Sequence, residues 1–97
     1  MSVITICAIL KAIPGHENHL REELLKLIEP SRAEKGCMEY KLHQSLEEKG
    51  TFVFYESWVD ENSIILHVNT EHFLTYRKNI ETIIDTEVVY HLQNMES

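Results

Sequence analysis

Two prolines, three glycines, two cysteines and a single tryptophan in 97 residues leave this chain few devices for breaking or stapling its backbone. So little Pro and Gly argues against disorder or low complexity, and an apolar fraction of 43% suits an ordinary globular core. A chain of this length encloses one core, so a single domain over residues 1–97 is expected. No apolar run approaches the ~20 residues of a spanning helix, and no basic region leads into an apolar one at the N-terminus. No membrane partner is expected, and cytoplasmic residence is.

Basic residues are also scarce, nine Lys and Arg against sixteen Asp and Glu, for a formal charge of −7. Binding a phosphate backbone needs a basic surface, so a nucleic-acid partner is excluded and the acidity reads as solubility. Cys7 lies in an apolar strand and Cys37 follows Gly36, without the paired spacing of a zinc site; both read as buried, reduced thiols. The sequence displays no H-x-x-x-H pair, no carboxylate–His cluster with ligand geometry and no phosphate-binding glycine loop. No metal, flavin or haem cofactor is therefore expected.

What is present is concentrated in residues 52–73, F-V-F-Y-E-S-W-V-D-E-N-S-I-I-L-H-V-N-T-E-H-F. This stretch starts as a strand and passes through two helix starts. It gathers Phe54, Tyr55, Trp58, His67, His72 and Phe73, with Tyr76 and Arg77 just beyond. A pocket in this chain should be walled by it.

The pattern around that stretch is orderly. Residues 3–12 are β-branched and apolar and read as a strand buried on both faces, ended by Pro14-Gly15. Residues 16–34 carry Leu20, Leu24, Leu27 and Ile28 at helical spacing, with a kink or break expected at Pro30 and a stop at Gly36. Residues 37–44 alternate as a second strand, and residues 51–59 form a third. Centring a hairpin on the charged loop between them puts Tyr40 near Tyr55, Leu42 near Val53 and Lys41 near Phe54. It also sets Glu39 opposite Glu56, an unfavourable pairing that either Lys41 bridges or a slip of register removes.

Asp60 caps a short helix to Val68, and Thr70 caps the next. There Phe73, Tyr76, Arg77, Ile80, Ile83 and Ile84 make one stripe. Residues 86–93 are the fourth strand. The order β-α-β-β-α-β is the ferredoxin-like α+β unit, an antiparallel sheet with helices on one face. Ile6, Ala8 and Leu10 point to one face of the first strand, and Thr5, Cys7 and Ile9 to the other. The helices cover only one, so a homodimer joined through the helix-free sheet face is expected.

Three pieces in order, G-C-M-E-Y-K-L-H, F-V-F-Y-E-S-W-V-D and H-V-N-T-E-H-F, resemble the antibiotic biosynthesis monooxygenase (quinol monooxygenase-like) domains. Those show a G-C-x-x-Y strand, a Y-E-x-W strand and an H-x-x-T-P-H-F junction. The chain departs at Glu71, where the family usually has Pro; Glu also suits a first helical turn. The resemblance implies a dimeric α+β barrel with a pocket between sheet and helices in each subunit. It also implies a small-molecule phenolic or quinol-type substrate, oxidised by molecular oxygen without metal or flavin. The candidate residues are then His67 or His72 as base and Arg77 as anion stabiliser, with Tyr55, Trp58, Phe73 and Tyr76 as ring contacts.

Each has a plainer role open to it. His72 fits packing at the helix junction, His67 a helix-end carbonyl, Trp58 the core, and Arg77 a carboxylate. His43 and His91 look structural, while His16 and His19 look exposed. A haem-degrading relative of the family uses Asn, Trp and His where this chain has Ala8, His67 and Arg77, and Arg is no axial ligand. Two alternatives to the monooxygenase stay open, an isomerase-type enzyme and a non-catalytic small-molecule binding domain on the same fold.

Overall fold

Alternation along the first and third strands decides what the rest of the chain must cover. The structure is a computed structural model that describes residues 3–96. Its elements are β1 (Ile4–Ala12), α1 (Glu17–Leu25), α2 (Ile28–Arg32), β2 (Cys37–Gln44), β3 (Thr51–Trp58), α3 (Glu61–His67), α4 (Glu71–Ile80) and β4 (Ile84–Leu92). The strands form one antiparallel sheet in the order β2-β3-β1-β4. This is the expected ferredoxin-like arrangement, with each helical half divided into two short helices.

Ile6, Ala8 and Leu10 of β1 and Phe52, Phe54, Glu56 and Trp58 of β3 are buried against Leu20, Leu24 and Leu27 from the first helical half and Tyr76 and Ile80 from the second. The intervening residues face the other way. There Cys7 stands between Tyr55 and Tyr90, and Ile9 between Val53 and Val88. Tyr55, Val88, Tyr90 and Leu92 on that face are all exposed.

Three local expectations are corrected. The hairpin register slips by one: Tyr40 faces Glu56, Leu42 faces Phe54 and Lys41 faces Tyr55, with an irregularity between Cys37 and Glu39. The slip puts Tyr40 and Leu42 on the same side as Phe54 and Trp58, which one-residue errors forbid. It also moves Glu39 away from Glu56 to Ser57, where its carboxylate meets Lys41 Nζ at 2.9 Å. The expected break into a short second helix forms, with its position corrected to Lys26 and Leu27, ahead of Pro30, which sits in the first turn of α2. A proline ring collides with the carbonyl four residues before it, here that of Lys26, so α1 ends there. The third correction is Ile84, which opens β4 instead of extending the helical stripe.

Both caps form as expected. Asp60 Oδ1 accepts from Ser63 N–H at 2.8 Å, and Thr70 Oγ1 accepts from Phe73 N–H at 3.3 Å. Gly15 takes a positive φ of 96° in the turn after β1. Gly36 has a different purpose from ending a helix: a Cβ there would overlap the Ser63 side chain. Ser63 also donates its hydroxyl to the capping Asp60 at 2.7 Å, so the overlap would strain the start of α3. Gly36→Ala should therefore lower stability by ~1–3 kcal/mol in a urea titration. Unchanged stability would show that the loop gives way freely.

Candidate active site

Between the inner face of the sheet and helices α3 and α4 lies a cavity of about 370 Å³. Its floor is Ile6, Ala8, Phe54 and Glu56; its roof is Ile64, His67, Phe73 and Tyr76. Tyr40 and Leu27 close one side, and Arg77, Glu87, Val89 and His91 line the β4 side. The walls are mostly aromatic and aliphatic, with a few converging polar groups, the composition of small-molecule sites.

His67 ends α3 and is almost fully buried, at 2% exposure. Its ring lies 4.5 Å, centroid to centroid, from Trp58 and 5.0 Å from Phe73. Its Nδ1 lies 2.7 Å from Glu34 Oε2. A carboxylate only accepts hydrogen bonds, so Nδ1 carries the proton and Nε2 is left with its lone pair. Among the described residues the His67 ring makes its hydrogen bond through Nδ1, and none reaches Nε2. Burial holds the His67 pKa below its ordinary value, against the opposing pull of Glu34, so the ring is a neutral base at the cavity wall.

His72 is brought to the same carboxylate oxygen, Nε2 to Glu34 Oε2 at 2.7 Å, but it does not line the cavity. It faces a separate depression with Glu23 and Asn79. The second position of α4 turns it behind Glu34, so its reading as a substrate-facing base is corrected. Arg77 does reach the cavity, with its guanidinium ion-paired to Glu87 across on β4. The Glu87 hydrogen bond raises the Arg77 pKa.

Phe73 and Tyr76 line the cavity as expected, and burial raises the Tyr76 phenol pKa, keeping it neutral. Two ring contacts are corrected. Tyr55 points to the helix-free face, because alternation sends its neighbours Phe54 and Glu56 inward. Trp58 is fully buried and supports His67 from behind without facing the cavity.

Sequence reasoning missed Glu56, Glu34 and Tyr40, and took His91 as structural when it is exposed at the cavity's β4 side. Glu56 is 5% exposed, and its Oε1 accepts from Trp58 Nε1–H at 2.9 Å. Burial pushes its carboxyl pKa up to about 7, the Trp58 hydrogen bond opposing and the Glu34 charge adding. The signal was its inward slot between Phe54 and Trp58, hidden by the assumed register. Glu34 has no sequence signal, since it lies in the loop after α2 and meets His67 and His72 only through the fold. The expectation that carboxylate and histidines form no cluster is thus overturned: Glu34, His67 and His72 converge. Cys7 and Cys37 are free but half-buried, not buried.

The fold and this cavity define a class: a ferredoxin-like α+β domain with a ligand-sized pocket between sheet and helices. The family model described as antibiotic biosynthesis monooxygenase matches residues 3–79, and the chain belongs to this family. It is 35% identical over 71 residues to the Bacillus subtilis protein named "Putative monooxygenase YcnE", covering 73% of this chain and 75% of that one. The crystal structure of PA3566 from Pseudomonas aeruginosa superposes with a TM-score of 0.96 at 35% identity, over 99% of this chain and 97% of that one. Rv0793 from Mycobacterium tuberculosis superposes with a TM-score of 0.92 at 27% identity, over 99% and 98%. The membership supports a monooxygenase-like function.

The raised Glu56 pKa has a consequence for stability. Folded Glu56 keeps its proton to about pH 7, whereas the unfolded side chain loses it near 4.5. Between these values the folded state holds more protons, so stability falls as pH rises through that window. Glu56→Gln should flatten this slope, a difference on the order of 1–3 kcal/mol between pH 4.5 and 7.5. Identical pH profiles for the two proteins would show that Glu56 titrates normally.

Proposed function

We propose that the chain is a cofactor-independent monooxygenase that oxidises a small phenolic or quinol-type substrate with molecular oxygen. The observation that carries this reading is the His67 imidazole, which lines an aromatic cavity while Glu34 holds its Nδ1, leaving Nε2 as the nitrogen that can act as base. His67 takes the phenolic proton, and the resulting anion is electron-rich enough to reduce oxygen. A quinol and O2 give a hydroxylated quinone and water with atoms and electrons balanced, so the substrate is its own reductant. Phe54, Phe73 and Tyr76 hold the ring, and the protonated Glu56 donates a hydrogen bond to the second oxygen of the substrate. Arg77, already paired with Glu87, moderates negative charge at the β4 side.

Glu56 also favours a second reading. A neutral acid and a neutral base in one cavity suit proton transfer on an enolisable carbonyl compound, an isomerase-type reaction without oxygen. Oxygen-electrode assays with a quinol panel, run beside solvent-deuterium exchange under nitrogen, separate the two readings. Oxygen uptake is expected, with His67→Ala losing at least ~100-fold in rate and His72→Ala much less. Exchange without oxygen uptake supports the isomerase, and ligand-induced stabilisation without any product supports a binding domain. Full activity in His67→Ala would remove His67 from catalysis.

The same reading includes a homodimer joined through the helix-free face, where the rows through Cys7 and Ile9 offer Tyr55, Tyr90, Val53 and Val88. Such an interface should bury more than ~1,200 Å² in total. Sedimentation velocity at micromolar concentration should give a dimer, and Tyr90→Glu should shift it toward monomer. A wild-type monomer would contradict this.

A further inference from the structure

Glu34, His67 and His72 come from three separate segments, the loop after α2, the end of α3 and the start of α4, and their donor atoms lie within 4.8 Å of one another. We propose that they form a binding site for a zinc-like divalent transition-metal ion, with Glu34 Oε2, His67 Nδ1 and His72 Nε2 as ligands. Two imidazole nitrogens and one carboxylate oxygen are a donor set that such ions take, with a fourth position left to solvent. Among the described residues, no other three donors of this kind converge.

The geometry lies close to what an ion needs. Bonds of ~2.0–2.1 Å in a tetrahedron set ligand atoms ~3.3 Å apart. Both imidazoles now stand 2.7 Å from the same Glu34 oxygen, and the three donors lie within 4.8 Å of one another, so loading opens the two carboxylate contacts by about half an ångström and sets the two imidazole nitrogens ~3.3 Å apart.

The frame around these ligands is fixed. The His67 carbonyl accepts from Thr70 Oγ1 at 2.7 Å and from Thr70 N–H at 3.2 Å. Thr70 in turn caps the helix that carries His72. The two imidazoles are thereby held on one short, hydrogen-bonded link. An entry route exists as well. His67 is enclosed, but the Glu34 and His72 side chains are 14% and 26% exposed, with shallow clefts on either side.

One consequence rests on His67 acting as base, whereas the binding itself does not. An ion on Nδ1 sends the ring proton to Nε2, so the loaded site no longer offers the cavity a base. The same three side chains would then hold either a working base or a metal.

The test uses the untagged full chain, stripped with a chelator and titrated with Co²⁺, with visible ligand-field absorption as readout and Zn²⁺ as competitor. One ion per chain is expected, displaced by Zn²⁺. His72→Gln and Glu34→Gln should each weaken binding at least ~100-fold while thermal unfolding shows the fold retained. His19→Ala should bind as wild type, which excludes the surface pair His19–Glu23 as the site. Absence of bound Co²⁺ at ~0.1 mM, or binding unaffected by both ligand substitutions, would overturn the proposal.

Discussion

The contact on which the site depends is a single carboxylate oxygen held between two imidazoles. Glu34 Oε2 lies 2.7 Å from His67 Nδ1 and 2.7 Å from His72 Nε2, partners 33 and 38 residues away along the chain. A largely buried carboxylate is costly unless donors satisfy it, and ring N–H groups aimed at a charge make strong hydrogen bonds. The loop before β2 is thereby tied to the α3–α4 junction. His67 then rests on Trp58, and Trp58 donates to Glu56. A loop, a helix end and a strand are joined in one chain of contacts that ends on both polar faces of the cavity.

Desolvation accounts for the chemistry at those two faces. His67 and Glu56 are both buried, and the desolvation penalty falls on their charged forms. His67 is therefore held as a neutral base and Glu56 as a carboxyl titrating near 7, from one cause acting on groups of opposite sign. The Arg77–Glu87 ion pair sits at the β4 side of the cavity where water still reaches it. The proposed phenolic substrate would meet a proton acceptor in His67 and, in the protonated fraction of Glu56, a proton donor.

Much of the fold was legible because it rests on short-range rules. The β-branched run of β1, the caps at Asp60 and Thr70 and the spacing of Phe73, Tyr76 and Ile80 each announce their element locally. The hairpin register was not legible, because loop length alone left a one-residue ambiguity that only the shared burial of Tyr40, Phe54 and Trp58 resolves. That ambiguity propagated into the site. It paired Glu56 with Glu39 and let Tyr55 pass as a ring contact. His67, Arg77, Phe73 and Tyr76 were placed at the cavity by their helix positions together with the family resemblance. Glu34 was invisible for a different reason: its role comes entirely from contacts with residues more than thirty positions away.

The most direct test of this account is the tautomer of His67, read from the ¹⁵N shifts and long-range proton correlations of its ring in the metal-free protein at neutral pH. The account predicts a neutral ring with its proton on Nδ1 and an unprotonated Nε2, lost in Glu34→Gln. A ring protonated on Nε2, or on both nitrogens, would leave no base facing the cavity and would contradict it.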